Sequence, residues 1–531
     1  MARDFAKACF AVAILVVTAL TVNAADIRTR GPGQGTEAND ARALAARIDA
    51  ALSARWSASK IRPVALAEDG EFARRASLDL IGKIPAASEA RDFIDDPSGE
   101  KRQRLIERLL ESPAYTTRAA EIWRQLLLPE ADTEDQARQF AGGFEAWLRR
   151  KVAEDAGYDR IVREILTAKL NTRDAETVAN RAEPSPTAYY LAKEGKPENL
   201  ASGVSRVFLG VKLECAQCHD HPFATWKREQ FWSFAAFFAG TQAQQPENTR
   251  PSPRDAPPLR ELTIPGTKKV VQAGHLDGTA PAWRPRADNR EILAEWITAP
   301  ENPYFARAIV NRVWARFFGV GLVESVDDHS EEASTEFKEV LDVLAGEFRA
   351  HGYNLKYLIR VITATRAYSL SSLADPSASA SASASPMFNV MAVRGLSAGQ
   401  LYDSLIQATG TDAAEARSRF LDLFANRDER STEAQTSILQ ALTLMNGNYI
   451  AGATNVESGE TLGAIAKSPF LDTPGRIETL YLATLSRRPR PDESALLVPY
   501  VDRKPGAEDR SKALADVFWA ILNGPEFYLN H

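Results

Sequence analysis

DPSGEKRQRLIERLLESPAYTTRAAEIWRQLL, residues 96–127, is the stretch that decides the fold class. Asp96-Pro97-Ser98 opens a helix with Glu100 and Lys101 behind it, and the pattern predicts one helix over 100–110 and another over 115–127. Working outward, Ala41, Leu44, Ile48 and Leu52 recur at helical spacing over 40–57. Further helices read at 68–81, 88–94, 144–153 and 158–166, with Pro85 after the end of one and Ser88 capping the next. Residues 40–240 are therefore expected to form a helical domain.

The character changes over 241–283, which holds seven prolines and two short β-prone runs at 262–264 and 270–272. A linker over 241–287 carrying at most a small β-hairpin is the expectation. Helical periodicity resumes in a second domain, 288–531, at 289–297, 304–318, 335–350, 355–365, 397–407, 432–445, 473–483 and 512–522. Within it, the strict Ser/Ala alternation at 377–385 offers side chains too small for a core, and a flexible loop over 375–386 is expected. The fold class is mainly α: two helical domains joined by a Pro-rich linker.

The first 25 residues read as a Sec-type signal peptide. Arg3 and Lys7 precede an apolar run over 8–22, and Val22-Asn23-Ala24-Ala25 supplies a small-residue exit. The run is shorter than the roughly 18 to 20 apolar residues that span a bilayer, so cleavage near Ala24 or Ala25 and no membrane span thereafter are expected. A polar, Gly-rich segment over 26–39 is expected to be disordered. These features place the chain outside the cytoplasm, in a periplasm or at a cell surface. With 64 basic against 70 acidic residues and no basic stripe, nothing favours nucleic acid as a partner.

Of three cysteines, Cys9 lies in the signal run, which leaves Cys215 and Cys218. A secreted protein that uses cysteine as a staple scatters several pairs, whereas one closely spaced pair points to chemistry. The segment is Cys215-Ala216-Gln217-Cys218-His219. Two thiols about one helical turn apart can each add to a vinyl group of haem, and the adjacent histidine then faces the iron. Attachment of this kind is made outside the cytoplasm, so motif and signal support one another. A reversible disulfide, a zinc site completed by His219 or His221, and inert thiols remain open.

Candidate sixth iron ligands are His275, His329, His351, Met387, Met391 and Met445, with Met445 and His329 carried forward. His221 is a candidate to orient a ligand from behind. The aromatics Phe223, Trp226, Phe231, Trp232, Phe234, Phe237 and Phe238 read as ordinary core more readily than as a porphyrin wall. Glu324, Asp327, Asp328, Glu331 and Glu332 surround His329 and read as a solvated loop, with a hard-cation or hydrolytic site as the rival. Arg307, Arg312 and Arg316 lie among aromatics at 304–318, where an arginine can bind a carboxylate or simply snorkel from a core helix.

Several stretches carry a family resemblance: 72–85 (FARRASLDLIGKIP), 101–115 (KRQRLIERLLESPAY), 208–223 (FLGVKLECAQCHDHPF) and 302–328 (NPYFARAIVNRVWARFFGVGLVESVDD), with 440–446 (QALTLMN), 476–489 (RIETLYLATLSRRP) and 519–531 (WAILNGPEFYLNH). They resemble the tandem domains of unknown function in planctomycete cytochrome-associated proteins, a cytochrome-like domain with Cys-x-x-Cys-His followed by a C-terminal domain. The resemblance implies covalently attached haem c at Cys215 and Cys218 with His219 as proximal ligand. The sequence departs from the family pattern after Asp328, at His329-Ser330-Glu331-Glu332-Ala333. The expectation is an electron carrier for an unidentified redox or cell-surface partner. The alternatives are a hydrolytic or polysaccharide-processing module, or a surface scaffold, with the cysteines structural or metal-binding.

Overall fold

The computed structural model describes residues 34–170, 183–222, 224–241, 259–327, 337–373, 387–411, 417, 420–421 and 448–531. Helices lead the chain: α1 (Gln34–Ala58), α2 (Asp69–Ile81), α3 (Ala87–Asp95), α4 (Lys101–Glu111), α5 (Pro113–Leu127), α6 (Asp135–Ala153), α7 (Tyr158–Leu166), α8 (Pro197–Leu209) and α9 (Arg228–Ala235). After a hairpin come α10 (Asn289–Ile297), α11 (Phe305–Phe318), α12 (Lys338–Ala350), α13 (Leu355–Ala364) and α14 (Ala398–Thr409). The last group is α15 (Asn448–Ala453), α16 (Glu460–Lys467), α17 (Thr473–Leu485), α18 (Pro491–Asp502) and α19 (Ala507–Leu522). The hairpin pairs β1 (Glu261–Thr263) with β2 (Val270–Gln272) antiparallel, Leu262 opposite Val271. A second two-residue ribbon, β3 (Arg394–Gly395) with β4 (Leu529–Asn530), goes beyond the single hairpin expected. The mainly α class holds.

Local chemistry explains the ends. Ser112 accepts from the Tyr115 backbone N–H at 3.2 Å and Pro113 takes the first position of α5, where a missing N–H costs nothing. Ser397 and Gln400 bond reciprocally across the start of α14, at 3.3 and 3.0 Å. Glu89 accepts from Ala86 N–H at 3.0 Å, so α3 starts at Ala87 and Ser88 is not its cap. Helix α1 begins at Gln34, which makes 34–39 helical where disorder was expected. The signal peptide 1–25, the Ser/Ala loop 375–386 and the helix expected over 432–445 lie outside the described residues.

The packing does not follow the linker. One continuous core runs from Ala41 to Met391, joining α1 to α13 and α8 to α11 across it. A second core gathers Leu401, Leu405, Ile477, Leu480, Phe518 and Phe527, and takes in Leu78 and Ile84 from the N-terminal part. The two-domain division at 241–287 is thus not the partition of the hydrophobic interior: each core draws on both sides of it. The reason is physical, since α1 and α13 each bury one apolar face and find their complement in one another.

Where the cores meet, α2 carries a buried polar junction. The Asp79 carboxylate accepts from Arg394 Nη2 at 3.0 Å, Tyr368 Oη at 2.9 Å and Asn530 Nδ2 at 2.8 Å. Arg75, fully buried, donates to the carbonyls of Tyr368 and Leu370 at 2.6 and 2.9 Å and to Glu71 at 2.7 Å. Arg74 donates to the carbonyls of Thr484 and Phe527, both at 2.8 Å. Charges this deep are tolerated because they are paired and hydrogen-bonded.

Candidate functional site

Helix α8 ends at Gly210, whose φ of +63° suits a residue without a side chain, and the chain turns back toward α9. The return path holds the cysteine motif. Buried Leu213 and Ala216 pin a 3₁₀ turn over Glu214–Gln217, closed by Ala216 N–H to Leu213 carbonyl at 2.8 Å. Cys215 lies within this turn and Cys218 follows directly at its end, three positions on. Both thiols are free and exposed, and His219 is exposed beside them.

The loop is held from below by α9. Trp232 Nε1 and Arg228 Nε both donate to the Gln217 carbonyl, at 3.0 and 3.2 Å. The Asp220 carboxylate accepts from the Arg228 backbone N–H at 3.0 Å and Lys227 Nζ at 3.1 Å, capping α9 from eight residues upstream. The backbone bond first, and then Lys227, holds the Asp220 carboxyl below its ordinary range. His221 N–H donates to the Trp226 carbonyl at 2.9 Å, and its Nδ1 accepts from Ala224 N–H at 2.9 Å. His219 Nδ1 lies 2.7 Å from the Asp220 carbonyl, which sets Nδ1 as the protonated nitrogen and leaves Nε2 with no partner among the described residues.

The structure brings the acidic loop to this motif. Arg206 on α8 lies 3.8 Å from Glu214 and 3.9 Å from Asp327, and Asp327 is paired with Arg312 at 2.6 Å. The loop after α11 is set by Asn311, buried, which donates to the Val323 carbonyl at 2.8 Å and accepts from its N–H at 3.0 Å. A side chain at Gly321 would meet that carbonyl at 2.6 Å. Asp328, His329, Glu331 and Glu332 lie outside the described residues.

The other sequence candidates are engaged elsewhere. His275 is stacked between Phe237 and Trp296, with ring centroids 5.5 and 4.6 Å away, and burial pushes it below the usual histidine range. His351 stacks on Tyr357 at 3.7 Å and its Nδ1 lies 2.8 Å from the Glu347 carbonyl. Met391 is buried in the first core and Met387 packs against it. Met445 and Phe223 lie outside the described residues. Phe231, Trp232, Phe234, Phe237 and Phe238 are buried, so these aromatics are core, as the sequence favoured. Arg307 pairs with Asp342 at 2.7 Å, whereas Arg316 donates to the Asp79 carbonyl at 3.2 Å.

Two family models match the chain in tandem. Residues 47–243 match PSCyt2, described as a protein of unknown function (DUF1549), and residues 289–434 match PSD1, described as a protein of unknown function (DUF1553). No curated protein and no solved structure matches the chain. The PSCyt2 match contains the cysteine motif and everything that holds it, while Arg312 and Asp327 lie within the PSD1 match. Among the described residues no three His, Cys, Asp or Glu side chains converge as a metal-ion cluster, and no helix is long and apolar enough to cross a membrane.

For covalent haem, the donor set present fits: two exposed thiols three positions apart, and an imidazole whose Nδ1 is committed to a carbonyl while Nε2 has no partner among the described residues. Cys215 and Cys218 would hold it through thioether bonds and His219 through Nε2, and bound haem would supply one-electron chemistry.

Proposed function

We propose that this chain works outside the cytoplasm as a carrier of electrons, with haem c attached at Cys215 and Cys218 and His219 as the proximal ligand, serving a redox or cell-surface protein partner. The observation that carries the reading is the combination of two free, exposed thiols three positions apart, one within a 3₁₀ turn and one at its end, with an adjacent histidine whose outer nitrogen is Nε2. A hydrogen bond from Nδ1–H to a carbonyl is what fixes tautomer and ring orientation in a metal-ligating histidine. The chain's own contribution is to hold this loop in place: Trp232 and Arg228 fix Gln217, and Asp220 ties the loop to the start of α9. Asp327 gives the hydrolytic reading little support, since its carboxylate is neutralised by Arg312.

The test is expression with the export signal in a host that matures c-type cytochromes, followed by a reduced pyridine haemochrome spectrum and haem staining on a denaturing gel. Covalent haem in the unaltered chain, lost in Cys215→Ala and Cys218→Ala, is the expected result. A colourless unaltered protein overturns the reading and turns the search to bound metal and thiol redox state.

A further inference from the structure

Along the buried face of α1, Ala38 and Ala41 are followed by Leu44, Ile48 and Leu52. The large side chains fill the seam against α13, and the two alanines are too small to do so. The seam therefore stays open at the start of α1, where a cleft of about 250 Å³ is lined by α1, α4 and α13. Ala38, Ala41 and Ile106 give it an apolar wall.

The other wall carries guanidinium groups whose donors are only partly used. Arg360 on α13 gives Nε to both oxygens of Glu107, each at 3.0 Å, and Glu37 stands 3.7 Å from its Nη1. Its Nη1 and Nη2 thus make no hydrogen bond to a described residue. Arg102 on α4 commits Nη2 to the Ala67 carbonyl at 2.6 Å and to Asp69 at 3.2 Å, which leaves Nε and Nη1. The same Asp69 carboxylate also serves Lys101 at 2.7 Å, so it does not belong to Arg102 alone. The Gln103 amide and the Ser369 hydroxyl line the cleft with no side-chain partner among the described residues. Unlike Arg74 Nε and Arg394 Nε, which are sealed in, all of these atoms keep accessible surface.

Acceptors are scarcer than donors here. Both Glu107 oxygens are taken by Arg360, and Glu100, with 73% of its side chain exposed at the rim, stands 3.9 Å from Arg42. Spare guanidinium donors opposite alanine and isoleucine suit an anion that carries an apolar body, because a planar fork bonds two carboxylate oxygens at once and the apolar wall rewards burial. At about 30 Å³ for a water-sized group, the cleft has room for roughly eight such groups.

We propose that this cleft binds a small organic carboxylate, its charged end met by Arg102 and Arg360 and its apolar body set against Ala38, Ala41 and Ile106. The site uses no residue of the cysteine loop or its supports and does not rest on the haem reading.

Isothermal titration of the full mature chain with sodium hexanoate tests it, beside sodium acetate, sodium sulfate and hexylammonium chloride at matched ionic strength. Saturable binding of one hexanoate per chain is expected, at least about tenfold tighter than acetate, as burial of two of its four extra methylene groups implies. Hexylammonium, with the same body and the opposite charge, is expected not to bind. Hexanoate binding is weakened at least about tenfold in Arg360→Gln and in Arg102→Gln, as loss of a charge-assisted bond implies, and retained in Arg138→Gln, a surface control for net charge. Should the arginine variants not fold, Ala364→Phe decides: it fills the cleft from its exposed rim, keeps every charge, and is expected to abolish hexanoate binding. Absence of saturable hexanoate binding, equal binding of sulfate or hexylammonium, or unchanged binding in the folded variants overturns the proposal.

Discussion

At Cys215–His219 the reactive atoms stand in water and a scaffold of hydrogen bonds beneath them fixes the loop; at Asp79 the polar atoms are themselves the scaffold and water is excluded. The first arrangement costs the fold little, because an exposed thiol loses no hydration. The second is expensive to assemble and more expensive to break, because each partner removed leaves another charge or donor buried and unmet. Chemistry held outside and chemistry held inside therefore predict opposite mutational signatures.

The largest effect is expected at the buried end. Asp79→Ala strands Arg394, Tyr368 Oη and the Asn530 amide, and is expected to cost about 3–5 kcal/mol in urea denaturation. A cost below 1 kcal/mol would mean that the junction is hydrated and the contrast is lost.

A pH dependence follows next. Burial, and then Arg74, push His531 down to about 4, against the opposing pull of Glu526. A histidine near 6.5 when unfolded and near 4 when folded contributes stability that is complete above pH 6.5 and is lost as pH falls toward 4. His531→Asn is expected to flatten that loss by on the order of 2 kcal/mol, read from urea midpoints at pH 7 and pH 4.5 in parallel with the unaltered chain.

Trp232→Phe, which keeps the ring and removes the donor to Gln217, is expected to cost about 1 kcal/mol and to lower the yield of haem attachment without abolishing it. Smallest in stability is the Cys215→Ala, Cys218→Ala pair, expected within about 0.5 kcal/mol of the unaltered haem-free chain. A large loss there would show that the cysteines serve packing and not chemistry.

What the sequence revealed follows the same division. Helices with their own punctuation were legible: 158–166 and 289–297 coincide with α7 and α10, because capping and periodicity are local. Helix α8 was missed although Leu200, Val204, Val207 and Phe208 recur at helical spacing in it and Gly210 ends it. The cysteine motif stood out as a segment because its five residues are consecutive, Cys215 to His219. The Asp79 junction did not, because Asp79, Tyr368, Arg394 and Asn530 share no spacing. Two consecutive arginines, Arg74 and Arg75, on the apolar side of α2 were the one available signal. The stretch over 241–287 carries the expected hairpin, but composition is blind to which faces meet across it.

The Asp79–Asn530 bond joins positions 451 apart. Contacts of such separation are slow to form, because a long loop must close before they are rewarded. As the chain is made, the first core has to wait for residues near 530 before its polar joint is complete. Until then Arg394 and Tyr368 lack their full set of partners, and the half-finished protein stays loosely assembled. A chain that seals itself last gains the full stability of its native state only once the residues near 530 have joined the fold.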